Sequence, residues 1–366
     1  MMGELIFRNL WHRPVRTLIG IVAIAVEVAL VVLIVGLTSG ILTETAKRIE
    51  GVGADIMLQP PGAGFVLGLG TAPMPIKIGD KIKELKYVQY VAPTLLQTNS
   101  TGGLEVIYGI DKESFTAVSG GFVFVSGHDM EGPDDVLLDD WAAKAKHLKV
   151  GDTYNLFNHD WNVVGVVEHG KGARVFVPLE TLQDLNQSRD KTSIFWIRCT
   201  RPEHTEDVMA ELRALVPGYT VRPIKDMLST YTSTNIPGLQ IFIDSMISLA
   251  VVIGLLVIFL TMYTTVLERT RDIGVLKSLG ANPAFIVRAL LMESALLCLG
   301  GIVAGVGLSY AARSVFLRIF PTLSVLITAG WIVRAGLIAL LGTVIGASYP
   351  AWVASKKDAV EALTFD

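Results

Sequence analysis

The stretch YTTVLERTRDIGVLKSLGANPAF, Tyr263 to Phe285, lies between two long apolar runs and carries five charged residues, Glu268, Arg269, Arg271, Asp272 and Lys277. From Val266 onward Ile273, Leu276 and Leu279 fall at helical spacing and the charges take most of the other positions, the pattern of a helix that leaves a membrane and lies at its surface. Gly280 is placed to cap the C-terminus of that helix, Asn282 to cap the start of the next, and Pro283 to take the next helix's first position, where a missing N–H costs nothing. A helix, a tight break and a re-entering helix predict a compact protrusion between two membrane spans. The charges alone fit two readings: an anchor at the membrane surface, or an organised face for a partner.

The rest of the composition agrees with a membrane protein. Of 366 residues 51% are hydrophobic and only 18% charged, more apolar than a soluble chain of this length. Crossing the hydrocarbon core takes roughly 20 apolar residues, and four runs qualify: 18–43, interrupted by Glu27; 239–267, interrupted early by Asp244; 285–310; and 331–354. The predicted fold is an α-helical membrane protein with four transmembrane helices and a large extracytoplasmic α+β domain, 44–238, between helices 1 and 2.

Arg8, Arg13 and Arg16 before the first span, Arg269, Arg271, Lys277 and Arg288 between the second and third, and Lys356 and Lys357 after the fourth place segments 1–17, 268–284 and 355–366 in the cytoplasm. Loop 311–330 is then extracytoplasmic, although Arg313 and Arg318 argue mildly the other way. The N-terminal basic residues resemble the start of a secretory signal, but the apolar run after them is too long for one and no small-residue cleavage site follows, so a retained anchor is expected. The two cysteines, Cys199 in the outer domain and Cys298 in the third span, are not expected to pair. No basic stripe of the kind nucleic acid needs is present.

Within the outer domain, WNVVGVVE and SIFWIRC have the length and β-branched or aromatic content of strands, while DVMAELRAL has helical spacing. The first helix should continue to Glu50, turn at GVG and give a short strand over 55–59. The Gly- and Pro-rich stretch that follows reads either as a simple loop or as an apolar tip, Phe65, Val66, Leu67 and Leu69, that touches substrate, an adaptor or lipid. His159 and His169 flank one strand and are too far apart to share a metal. No nucleophile elbow, H-E-x-x-H or C-x-x-C is present, so no catalytic residues and no metal site are expected.

ERTRDIGVLKSLGA closely resembles the segment after the second transmembrane helix of MacB/FtsX-type ABC transporter permeases, the type VII or mechanotransmission class, whose recurring form is E-R-x-x-E-I-G-x-x-[KR]-[AS]-[LIM]-G-A; Asp272 stands where Glu is usual. RNLWHRPVRTLIGIVAIAV is similar to the family's amphipathic elbow, with Arg13 and Arg16 matching, and YPAWVASKKDAVEAL resembles its C-terminal ending, with Ala359 in place of Pro. VLLDDWAAKAKHLKVGDTYNLFNHDWNVVGVV and RVFVPLETLQDL resemble its periplasmic core domain.

The resemblance implies that Glu268, Arg269, Arg271, Asp272, Ile273, Gly274, Leu276, Lys277, Leu279 and Gly280 form the contact with a cytoplasmic ABC ATPase. It also implies a pair of permeases, identical or related, in the inner membrane, in contact with lipid and served by a periplasmic adaptor. The chain has no G-x-x-x-x-G-K-[ST], so it is expected to bind no cofactor and not to be an enzyme itself; ATP and Mg would sit on the partner ATPase. Glu27 is read as bonding a neighbouring helix or facing a dimer seam, or else as binding a proton or substrate. Gly300, Gly301, Gly305 and Gly307 permit close helix packing, within the permease or across a dimer. Two functions are implied: export or extraction of a lipoprotein, peptide, lipid or amphipathic small molecule, or FtsX-like signalling that activates an extracytoplasmic enzyme such as a cell-wall hydrolase.

Overall fold

The computed structural model describes residues 14–61, 73–99, 105–225 and 238–356. The apolar tip Phe65, Val66, Leu67 and Leu69, the elbow residue Arg13 and the tail 357–366 lie outside the described residues, whereas Arg16 lies within the first helix.

In chain order the first elements are α1 (Pro14–Glu50), β1 (Ile56–Gln59), β2 (Met74–Pro75), α2 (Ile78–Lys83), β3 (Val88–Asn99), β4 (Glu105–Ile110) and α3 (Lys112–Ser119). There follow β5 (Phe124–Gly127), β6 (Asp135–Asp139), α4 (Asp140–Lys146), β7 (Thr153–Leu156), β8 (His159–Val167), β9 (Val175–Pro178) and α5 (Leu179–Leu185). The chain then forms β10 (Lys191–Thr192), β11 (Ile194–Cys199), α6 (Thr205–Leu215), β12 (Thr220–Pro223), α7 (Leu239–Glu268), α8 (Thr270–Ser278), α9 (Pro283–Ile319) and α10 (Ala329–Lys356). The described residues form two compact units, one from 14–39, 238–316 and 325–356, the other from 40–61, 73–99, 105–225 and 317–324.

In the first unit α1, α7, α9 and α10 are each long and apolar enough to cross a membrane. Their shared core contains Ile24, Val28, Ile258, Met262, Leu290 and Ala347. Small residues set the spacing, as expected where lipid offers no hydrophobic drive for helices to associate. A Cβ on Gly301 would stand 2.5 Å from Ile24 Cβ and one on Gly305 2.7 Å from the Ala25 carbonyl oxygen, so α9 rests directly on α1 at these two glycines. Gly307 meets nothing within 4 Å and takes no part in that contact. Helix α9 runs on to Ile319, past the apolar run 285–310, because AARSVFLRI contains no Gly or Pro and the chain first meets a helix breaker at Pro321. The connection that the sequence placed at 311–330 is correspondingly short, 320–328.

The second unit is the α+β domain. Helix α1 ends with Lys47 and Arg48 in its last turn, where cations oppose the partial negative charge of a helix C-terminus. The GVG turn follows, with Gly53 at φ +78°, and leads into β1. The main sheet has ten strands, in the order β12-β1-β11-β3-β4-β9-β6-β8-β5 with β7 paired to β8. The pairs β4/β9 and β6/β8 are parallel and the others antiparallel. Two apolar clusters stabilise it: one contains Leu138, Trp161, Val175 and Leu182, and the other Ile56, Phe195 and Leu212. Local caps fix the short helices. Asp111 accepts from the Ser114 N–H at 3.0 Å to start α3, and Asp139 accepts from the Ala142 N–H at 2.6 Å to start α4.

Candidate coupling segment

The charged stretch folds as a short helix held between two breaks. Helix α7 ends at Glu268, and Arg269, at φ −104° and ψ 13°, turns the chain before α8 begins at Thr270. Thr270 Oγ1 donates back to the carbonyls of Val266 at 3.0 Å and Leu267 at 2.9 Å, which ties the start of α8 to the end of α7. At the other end Gly280 adopts φ +90°, the left-handed conformation that favours glycine. The Gly280 and Ala281 N–H groups donate to the carbonyls of Lys277 and Leu276, both at 3.0 Å. Asn282 Oδ1 accepts from the Ala284 N–H at 3.1 Å, and α9 starts at Pro283. The cap, N-cap and proline therefore occupy the places that the sequence assigned to them.

The structure divides the ten residues of the motif by face. Arg271, Asp272, Leu276 and Leu279 are exposed, Leu279 to 80%, and Glu268 and Gly280 are exposed with them, while Lys277 is half-buried. Ile273 and Gly274 are buried, and Ile273 belongs to the same core as Val266, Ile286 and Leu290. Helical periodicity requires this: positions 270, 273 and 274 share one side of α8, and that side faces the membrane helices. Arg269 also turns inward. Its Nη1 donates to Glu293 of α9 at 3.0 Å, with the two side chains only 15% and 8% exposed. Ile273, Gly274 and Arg269 thus lie on the inner side of α8, behind the exposed residues of the motif. The motif gave no sign of Glu293; the only hint was an isolated acid early in the third span.

The intramembrane acids separate in the same way. Glu27 is buried, and its carboxylate fills the notch left by Gly254 on α7, where any Cβ would overlap it. Asp244 is exposed and accepts from Gln240 Nε2 at 2.9 Å, one turn earlier on α7. In the α+β domain the two histidines each take their own carboxylate: His159 Nε2 lies 2.8 Å from Asp134, and His169 Nδ1 lies 2.9 Å from Asp140. Cys199 is buried, and burial pushes its thiol up to about 11. Among the described residues no three His, Cys, Asp or Glu side chains converge as a metal site requires.

Comparison with known proteins finds two family models along the chain. Residues 17–215 match the model of the MacB-like periplasmic core domain and residues 245–359 that of the FtsX-like permease C-terminal region. The chain belongs to the MacB/FtsX-type ABC transporter permeases. It is 26% identical to a macrolide export ATP-binding/permease protein MacB of Shewanella sp. (strain W3-18-1), over 96% of this chain and 58% of that one. It is 22% identical to an uncharacterised ABC transporter permease of Methanocaldococcus jannaschii, over 98% of this chain and 96% of that one. The crystal structure of the periplasmic region of MacB from Actinobacillus actinomycetemcomitans, 17% identical, covers 50% of this chain and 95% of its own, with a TM-score of 0.39. The chain spans 50% to 59% of the first four MacB relatives that it matches.

Proposed function

We propose that this chain is the membrane subunit through which a separate cytoplasmic ABC ATPase drives conformational change in the α+β domain, and that the change exports or extracts an amphipathic cargo. The observation that carries the reading is the exposed face of α8. Leu276 and Leu279 project as apolar anchors beside Arg271 and Asp272, on a helix fixed at both ends and supported from below by Ile273 and the Arg269–Glu293 pair. Exposed apolar side chains ringed by charge fit a protein partner: the anchors supply burial and the charges supply register.

On this reading α8 and both termini are cytoplasmic, the α+β domain is extracytoplasmic and the spans cover 18–43, 239–267, 285–310 and 331–354. ATP and Mg are bound by the ATPase, and two permease chains, identical or related, complete the transporter in the inner membrane. The MacB relatives named for macrolide export favour an amphipathic small molecule among the cargo classes; a periplasmic adaptor is a further partner on this reading.

The test is to purify the tagged chain from its native membrane in mild detergent and identify by mass spectrometry what accompanies it. A stoichiometric ABC ATPase, lost when Arg271 and Asp272 are reversed in charge, is the expected result. A permease recovered without any ATPase would sink the proposal. An accompanying cell-wall hydrolase in place of an adaptor would move the assignment to FtsX-like signalling.

A further inference from the structure

Four charged side chains meet where the end of α1 joins the sheet. Glu44 and Arg48 stand one turn apart on α1, Asp139 closes β6, and Arg174 directly precedes β9. Their side chains are 15%, 13%, 1% and 11% exposed. Two carboxylates balance two guanidinium groups, the condition under which so many charges are tolerated out of water.

Arg174 is held from three sides. Its Nη1 donates to Asp139 at 3.3 Å, its Nη2 donates to the Thr322 carbonyl at 3.0 Å, and the guanidinium lies 4.9 Å from the centre of the Trp141 ring. Glu44 is placed differently. Its Oε1 is 3.7 Å from Arg48 Nε and 3.6 Å from Arg174 Nη2, outside hydrogen-bond distance of both. That oxygen and Arg48 Nε are both buried without a hydrogen-bond partner. A carboxylate oxygen midway between two charged donors has two closed arrangements, each reached by a movement of about 1 Å or less.

We propose that Glu44 is a two-position clasp, closing either on Arg48 of its own helix or on Arg174 beside the sheet, so that the end of α1 has two seatings on the α+β domain. Closed on Arg174, the helix end is tied to the sheet and, through Thr322, to the chain that follows α9. Closed on Arg48, it gives up that side-chain tie and keeps the backbone bond from the Gly172 N–H to the Arg48 carbonyl at 2.7 Å. Packed interfaces move between discrete arrangements rather than deforming continuously, so a small displacement of α1 would select one seating. What the clasp is for rests on the permease reading, in which it gives an ATP-driven movement of α1 two stops. Its existence does not, and it can be tested without an ATPase.

The experiment is hydrogen exchange on the intact chain in lipid nanodiscs, comparing the wild type with Glu44→Gln, Arg48→Gln and Arg174→Lys. Glu44→Gln removes the clasp, and amides of 45–52 and 317–324 should exchange roughly tenfold faster, the scale of a lost hydrogen bond to a charged group. Arg48→Gln removes only the rival partner, drives Glu44 onto Arg174, and should slow exchange in the same two segments. Arg174→Lys keeps the charge but loses the fork that also reaches Thr322, so 317–324 alone should exchange faster. A purely structural cluster would loosen on loss of either charge; unchanged or faster exchange in Arg48→Gln would therefore overturn the proposal. If Glu44→Gln fails to fold, the sign of Arg48→Gln still decides. Absence of an ATPase from the wild-type purification counts against the permease reading and leaves the exchange result standing.

Discussion

The guanidinium of Arg269 donates to the carboxylate of Glu293 at 3.0 Å, joining the break between α7 and α8 to a point about three turns into α9. The pair explains why an arginine in a surface motif is only 15% exposed. It ties the start of α8, through the break that precedes it, to α9.

Breaking this pair should destabilise the protein more than removing it. Arg269→Gln leaves a buried carboxylate and Glu293→Gln a buried guanidinium, each costing about 3 to 5 kcal/mol. The double variant should recover most of that loss. Thermal unfolding of all four proteins in one detergent gives the coupling energy directly, and additive losses would show that the two residues act independently.

Charge and apolarity on the outer face of α8 should matter for association and not for folding. Arg271→Glu and Leu279→Asp lie at exposed positions and should each change stability by no more than about 0.5 kcal/mol. Both should abolish recovery of the ATPase and its stimulation. Ile273→Asp, in contrast, places a charge in the helix core and should reduce the amount of folded protein.

The two contact glycines and the open one should respond oppositely. Gly301→Val and Gly305→Val force Cβ atoms against α1, and overpacking of this kind costs about 1 to 3 kcal/mol. Gly307→Ala meets no neighbour and should be neutral or stabilising by up to about 1 kcal/mol through helix propensity. Unfolding midpoints in detergent separate the two outcomes.

Asp139 should impose a pH slope on the α+β domain. Burial is the largest influence on its carboxyl and raises it from 3.8 to about 6, against the opposing attraction of Arg174. A folded-state value above the unfolded one means that the folded protein binds the proton more tightly. This residue's contribution to stability is therefore greatest below about pH 4 and declines as pH rises through 6, by a total of about 3 kcal/mol at most. Asp139→Asn keeps an acceptor for the Ala142 N–H and removes the titration, so the variant should gain on the wild type between about pH 4 and about pH 6.5. A constant difference in midpoint across that range would show that Asp139 does not titrate there.

The sequence by itself determined the four membrane helices, the α+β domain between the first and second, and the break that ends the charged segment, but not the turn at Arg269 that begins it. Each of these follows from local features: apolar run length for the spans, β-branched strand-length runs such as SIFWIRC for the sheet, and Gly280, Asn282 and Pro283 for the break between α8 and α9. Only the tertiary structure decided which residues of the motif face outward. Ile273 and Leu276 are alike in sequence, and only the packing of α8 against its neighbours buries one and exposes the other. The partner of Arg269 and the distant partner of Glu44, Arg174, were equally hidden, because an ion pair between residues 24 or 130 positions apart leaves no local periodicity to read. Charge type is written in the sequence, but the environment that gives a charge its role exists only once distant segments have packed together.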